Sequence, residues 1–476
     1  MVQLSTFALA ASIAGAGALN LVQRDDGVAP KVIQGDIQRR VVENPIARDR
    51  LRRRATKTVQ ESLANEETLY FANVTMGTPS QSLRLHLDTG SSDLWVNVAN
   101  SQLCTSRGNP CGFAGTYAPN KSSTYQYVNS EFNITYVDGS GSSGDYATDT
   151  LSLGGITLQN QEFGIGYQST SQEGIMGIGY TLNEAILTTP GAETYVNVPL
   201  KMMQSGYINT NAYSLWLNDL DASTGSILFG GVDTAKFTGT LEALPIIKEQ
   251  GVYAEFVIAL TGVGMNGNQN SIAGNLNTPA LLDSGSSLMY LPNNVASAIY
   301  TMTGAQYNSQ EGAAFIDCSQ AYNETTIDFT FSSPTIRVSM SELVIVAGQQ
   351  GGKEICILGI APADGTTPVL GDTFLRSAYV VYDLSNNEIA LAQTNFNSTN
   401  SNVQEITNAT STSGGIPGAS SVANAVTSVS VASGGARLQG VTVTSAGAAA
   451  PATPAPRQFA IGAAVAAAGA GIMMAL

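Results

Sequence analysis

The sequence predicts an all-β protein built as two related lobes, with only a few short helices. Three observations lead there. Thr, Val, Tyr and Gly are plentiful, and only 12% of the 476 residues are charged. Short alternating runs such as Ile227 to Phe229 and Tyr379 to Tyr382 stand between Gly, Asn, Asp and Ser turns, the pattern of half-buried strands. Finally, Asp88-Thr89-Gly90-Ser91-Ser92 recurs as Asp283-Ser284-Gly285-Ser286-Ser287, 195 positions later, each behind an apolar run. The repeat has a register: Gly177 of Ile175-Met176-Gly177 lies 89 residues after Asp88, and Gly371 of Val369-Leu370-Gly371 lies 88 after Asp283. Helices are expected near Thr194 to Gln204 and near Asn294 to Tyr300, the latter following Pro292.

In chain order, residues 1–18 are apolar and small, ending Ala16-Gly17-Ala18, and read as a removable secretory signal whose first positions lack Lys or Arg. Residues 19–54 turn basic: the first 54 positions hold nine of the 21 Lys and Arg residues and end in Arg52-Arg53-Arg54. Behind a signal, that run reads as a propeptide with a processing site after Arg54. The whole chain carries −15, but the 12 bases and 31 acids from Ala55 onward give −19. A basic propeptide is thereby expected to be drawn over an acidic cleft at neutral pH and released as carboxylates protonate. Two lobes follow, at 55–244 and 245–396.

Duplicated halves that each offer one acid point to an enzyme that pairs two. Carboxyls held close together cannot both ionise, so the pair keeps one proton, one member acting as base and the other as acid. The charged member takes a proton from a water that attacks a peptide carbonyl, while its partner hydrogen-bonds the carbonyl oxygen. Gly90 and Gly285 permit tight loops. Ser91 and Ser286 are placed to orient the acids, and the hydroxyls of Thr89 and Ser284 to join the loops. Serine or cysteine nucleophiles are disfavoured because the only histidine is His86. No Cys-x-x-Cys or His-Glu-x-x-His indicates zinc, so neither metal nor cofactor is expected. On a strand His86 shares a face with Asp88. It is read chiefly as a packing residue under the cleft floor, with a second reading as part of the pocket for the residue before the scissile bond.

The string Leu85-His86-Leu87-Asp88-Thr89-Gly90-Ser91-Ser92-Asp93-Leu94-Trp95-Val96 resembles the pepsin-like aspartic proteases. The likeness runs from about Tyr70 to Gln393 and includes Leu370-Gly371-Asp372-Thr373-Phe374-Leu375-Arg376. It implies a bilobal pepsin-like double-barrel fold, with Asp88 and Asp283 facing across a cleft and the lobes meeting near Leu244. Phe132 to Tyr136 with Asp138-Gly139-Ser140 resembles the family's flap, although Val137 stands where glycine is usual. The resemblance implies that Tyr136 closes over substrate and bonds to Trp95. Asp138, together with Glu173 before Gly174-Ile175, is expected to form a negative wall favouring basic substrate residues. Four cysteines allow three connectivities. The likeness to the fungal secreted branch, of candidapepsin and yapsin type, implies local pairs, Cys104 with Cys111 and Cys318 with Cys356.

Beyond Gln393 the composition shifts to Ser, Thr, Ala, Gly, Val and Asn, and 397–445 reads as a flexible stalk. Residues 446–476 read as a removed glycosylphosphatidylinositol (GPI) signal. Ser445 or Gly447 would be the attachment site, followed by a spacer and the apolar end Phe459 to Leu476. Sequons stand at Asn73, Asn120, Asn133, Asn323, Asn397 and Asn408, with Asn73 and Asn133 expected to be hidden in strands. The expected protein is therefore a monomeric aspartic endopeptidase, made as a zymogen and tethered at the cell surface. Its expected partners are polypeptide substrates, a kexin-like processing protease, a GPI lipid anchor and the cell wall, with no nucleic acid. The alternative is a catalytically weak, peptide-binding wall protein of the same fold. A two-carboxylate glycosidase would not carry the duplicated register.

Overall fold

Strand Gln81–Asp88 shows how local pattern becomes architecture. Leu83, Leu85 and Leu87 alternate into the core while Ser82 and Arg84 face outward, and the chain reaches Asp88 at the strand's carboxyl end. In the computed structural model, which describes residues 30–43, 66–136, 140–222, 224–407 and 415–429, strands of this kind dominate. Among the described residues the α-helices are Val198–Gln204, Asn293–Thr303 and two single turns, Met340–Leu343 and Asp372–Leu375. The fold is the bilobal pepsin-like one.

The duplicated sequence register becomes duplicated strand pairing. In the first half Gln81–Asp88 runs parallel to Gly174–Gly177, with Asp88 opposite Gly177, and Gly174–Gly177 pairs antiparallel with Leu94–Asn97. In the second half Thr278–Leu282 runs parallel to Val369–Leu370, which pairs antiparallel with Met289–Leu291. The two catalytic strings thus leave their strands at equivalent points. The first lobe closes on itself where Glu66–Met76 meets Gly141–Leu153. Strands from both halves share one sheet: Phe237–Pro245, Glu388–Thr394 and Ala378–Asp383 continue through Ala212–Trp216 and Thr224–Phe229 into the first lobe. Leu244, Tyr213, Phe256 and Tyr382 lie in the continuous apolar core beneath it.

The disulfides are Cys104–Cys111 and Cys318–Cys356, each with Cα atoms 5.2 Å apart. One tight turn illustrates loop chemistry: Asn266-Gly267 takes φ of 55° and 79° to join Gly262–Met265 to Asn268–Ala273, which Asn and Gly do at least cost.

Three sequence expectations need correction. Ile33–Glu43, assigned to a propeptide drawn over the cleft, is an internal strand of the shared sheet, paired with Thr224–Phe229 on one edge and Glu66–Met76 on the other. Backbone pairing and the fully buried Ile37 seat it there, rather than charge attraction. The body also continues past residue 396. Val403–Glu405 pairs with Gly231–Asp233, Ala419–Ser421 adds to Phe237–Pro245, and Val403 and Ile406 are completely buried. A few apolar side chains spaced among polar ones suffice to dock such a segment, so composition alone misread the start of the stalk. Lastly, Asn73 and Asn133 are in strands but exposed, because each occupies the outward position between two buried neighbours. Asn120, Asn323 and Asn397 are exposed too. Residues 1–29, Arg54, Asn408, Ser445, Gly447 and the apolar end lie outside the described residues.

Candidate active site

Asp88 and Asp283 sit on two loops that fasten each other. The Thr89 amide donates to Ser284 Oγ at 3.1 Å, and the Ser284 amide donates to Thr89 Oγ1 at 2.9 Å. Each hydroxyl then donates onward across the boundary, Thr89 Oγ1 to the Leu282 carbonyl and Ser284 Oγ to the Leu87 carbonyl, both at 2.9 Å. All four bonds are buried, so a lost partner would leave a desolvated polar group behind. The short side chains have no freedom left, which fixes the loops relative to one another.

Each acid is gripped in the same way. Asp88 accepts the Gly90 amide on Oδ1 at 2.9 Å and Ser91 Oγ on Oδ2 at 2.6 Å. Asp283 accepts the Gly285 amide on Oδ1 at 2.8 Å and Ser286 Oγ on Oδ2 at 2.6 Å. The carboxyls are 1% and 9% exposed, at the floor of the site. Gly90 shows that they converge: a Cβ there would stand 2.4 Å from Asp283 Oδ1, while the Gly90 amide holds Asp88 Oδ1. Only glycine lets the second acid approach the loop of the first. Behind each loop another glycine is squeezed by backbone, Gly177 against Ser92 and Asp93, Gly371 against the Ser286 and Leu288 carbonyls.

The hairpin of Gln126–Thr135 and Gly141–Leu153 is closed by the Tyr136 amide donating to the Ser140 carbonyl at 2.8 Å. Trp95 Nε1 donates to Tyr136 Oη at 2.8 Å. Asp138 and Gly139, at the tip, lie outside the described residues. Ile175 is buried opposite both His86 and Trp95 and packs with Phe132 and Tyr146. His86 is buried, its ring 5.8 Å from that of Phe71, on the strand face that also carries Asp88. Glu173 is half-buried and takes a bond from Ser171 Oγ on its backbone carbonyl. It lies four residues before Gly177, about 13 Å along the strand from the level of Asp88. Ser169 and Thr170, just before it, meet the hairpin at Ser142 and Gly141, beside its turn.

Sequence reasoning passed over several residues that shape the site. Asn183 Nδ2 donates to the Gly90 carbonyl at 3.3 Å and Ser92 Oγ to the Tyr180 carbonyl at 2.6 Å, so the stretch after Gly177 wraps the first catalytic loop. Asp93, inside the quoted string, is completely buried. Arg376, at the end of the late motif, is completely buried, and its guanidinium donates from Nε to Glu342 Oε2 and from Nη2 to the Glu342 carbonyl. Isolated Asn, Glu and Tyr residues carry no spacing signal that would have singled them out.

Two acids on duplicated loops, each oriented by a serine and a backbone amide, define an aspartic protease. The chain belongs to that family: the model of the eukaryotic aspartyl proteases matches residues 69–394. A probable aspartic-type endopeptidase of Aspergillus oryzae is 52% identical, over 94% of this chain and 95% of the relative. Secreted aspartic protease 8 of Candida albicans is 40% identical, over 72% and 80%. Among solved structures, an aspartic proteinase from Irpex lacteus shares the fold at a TM-score of 0.58 and 22% identity, covering 77% of this chain and 99% of that one. The chain is an aspartic-type endopeptidase. The floor can supply the chemistry such an enzyme needs: one carboxylate can take a proton from a water as that water adds to the peptide carbonyl carbon, a neutral carboxyl can bond the carbonyl oxygen, and a proton can pass to the nitrogen as the C–N bond breaks. The serine and amide donors hold both carboxyls in the required orientation before substrate arrives.

Proposed function

We propose that this endopeptidase is exported, matured by cleavage after Arg54 and tethered by a lipid at the outer face of the cell, where it cuts polypeptides. Residues 1–18 serve as the signal, 19–54 as the propeptide, and a kexin-like protease reads Arg52-Arg53-Arg54. Attachment falls at Ser445 or Gly447, with removal of the apolar end. The observation that carries export is the cysteine chemistry: all four cysteines are in disulfides, which persist in oxidising compartments. Five sequons exposed on the body support the same route. The strand Ile33–Glu43 gives the propeptide a second role as a template of the shared sheet in the precursor.

The test is release. A phosphatidylinositol-specific lipase, or a glucan-degrading treatment for wall-linked protein, should free active enzyme from intact cells. Removing Phe459 to Leu476 should send active enzyme into the medium. Mature protein that still yields peptides containing Met473 and Met474 would instead show a retained tail, and the anchor would be abandoned.

A further inference from the structure

Behind the Asp88 loop lies a second group of acids that hydrolysis does not use. Asp93 precedes strand Leu94–Asn97, Glu184 lies between the turns Thr181–Asn183 and Ala185–Thr188, and Tyr195 precedes helix Val198–Gln204. Both acids are completely buried. Asp93 accepts Tyr146 Oη at 3.0 Å and Tyr195 Oη at 3.2 Å on Oδ1, and the Ala185 amide at 2.7 Å on Oδ2. Glu184 receives the Tyr195 amide at 2.8 Å on Oε2, while its buried Oε1 meets no hydrogen-bond partner among the described residues.

That asymmetry decides where the charge resides. A buried carboxylate is tolerated where donors surround it and is costly where an oxygen goes unmet, so Asp93 carries the charge and Glu184 the proton. The other charged groups bearing on Glu184 are themselves acids, Asp93 and, from strand Ile156–Ser169, Glu162, with Tyr195 supplying its amide. Burial, then the charge of Asp93, pushes the Glu184 carboxyl up to about 10 despite the Tyr195 amide. Tyr195 remains a neutral donor to Asp93, its phenol pushed far up by burial and then by Asp93.

The same stretch touches the catalytic machinery on two sides. Asn183, next to Glu184, bonds the Gly90 carbonyl, and the Gly179 amide bonds the carbonyl of Ser91, the serine that holds Asp88. On the other side Ala185, Ile186 and Tyr195 pack with Trp95, Phe132 and Ile175, and Tyr136 rests against this cluster. We propose that Glu184 is a positioning residue: as a protonated carboxyl near the charged Asp93 it seats the 180–195 stretch between the Asp88 loop and the cluster of Trp95, Phe132 and Ile175 on which Tyr136 rests. The inference depends on the endopeptidase activity and not on where the enzyme is held.

The experiment compares wild type, Glu184→Ala and Glu184→Gln, secreted as the full chain, in kcat/KM profiles against pH on a fluorogenic peptide. Alanine should lower kcat/KM roughly ten- to hundredfold at acidic pH, the scale of a small misplacement of reacting groups. Glutamine, neutral at every pH and of the same shape, should restore most of that across the profile, because the site needs a neutral group of that shape and not a charge. A Glu184→Gln enzyme as impaired as Glu184→Ala overturns the proposal. Should Glu184→Gln fail to fold, infrared spectra of Asp88→Asn, whose dyad holds no shared proton, give a second readout. A protonated-carboxyl band at neutral pH that is missing from Asp88→Asn/Glu184→Ala supports the assignment. No difference between the two spectra overturns it.

Discussion

The acid-bearing loops concentrate the chemistry in a few atoms, and single substitutions separate their roles. Asp88→Asn or Asp283→Asn removes the proton exchange itself and should cut kcat by several orders of magnitude, with melting temperature little changed. Chelators and serine- or thiol-directed reagents should leave wild type active, and inhibition by a chelator alone would contradict the two-acid chemistry. Thr89→Val tests a different property. It strips an acceptor from the Ser284 amide and a donor from the Leu282 carbonyl, both buried, and should cost about 2–4 kcal/mol of stability as well as activity. A Thr89→Val enzyme as stable as wild type would show that the cross-lobe bonds do not hold the loops. The acids and their neighbours were legible because the string recurs with a register. Asn183, Glu184 and Tyr195 were not, because their importance arises from tertiary contact with Gly90 and Asp93 rather than from any pattern along the chain.

At the scale of elements, the sequence disclosed strands best where both faces of the pattern were clean. The two helices and the paired catalytic strands followed from periodicity and Pro placement. Ile33–Glu43 escaped notice because its basic residues resembled a solvated arm, yet alternate positions carry Ile33 and the buried Ile37 into the sheet core. Arg39 on the same strand is held near Tyr70, Asp221 and Glu342, and burial lowers its pKa. Ile37→Asp should therefore block folding of the precursor and abolish secretion, since an unpaired buried charge costs several kcal/mol. Gln38→Asp, at an exposed position, should be secreted normally. Equal secretion of the two, measured by immunoblot of the medium, would show that the strand is dispensable. The carboxyl-terminal elements give a parallel test. A stop after Asn397 loses the burial of Val403 and Ile406, about 4–6 kcal/mol together, whereas a stop after Val429 loses neither. The shorter protein should melt several degrees lower, and identical melts would return the boundary to residue 396.

The whole molecule is tuned by charge in a direction that the dyad shares. Formal charge beyond Arg54 is −19, so neutral pH loads the folded body with self-repulsion that acid relieves. Buried carboxyls act in the same sense. Burial and then Asp93 raise the pKa of Glu162, burial raises Asp383, and burial and then Asp383 raise Glu388. A carboxyl whose folded pKa exceeds its unfolded value binds its proton more tightly in the native state. Its contribution is intact below the unfolded pKa of about 4 and is lost as pH climbs through the folded value. Asp149 opposes them: burial raises it, but bonds from Ser122, Thr124 and Tyr117 outweigh burial and lower it, so its contribution fails only as acid protonates it. With more groups on the first side, and with the net charge, the melting temperature should peak near about pH 4–5 and decline steadily toward pH 8. Activity should peak in the same acidic range, because the dyad works with one proton retained. Calorimetric scans across pH would check this, and a melting temperature that rises from pH 5 to 8 would show that lowered carboxyls, not raised ones, govern the fold.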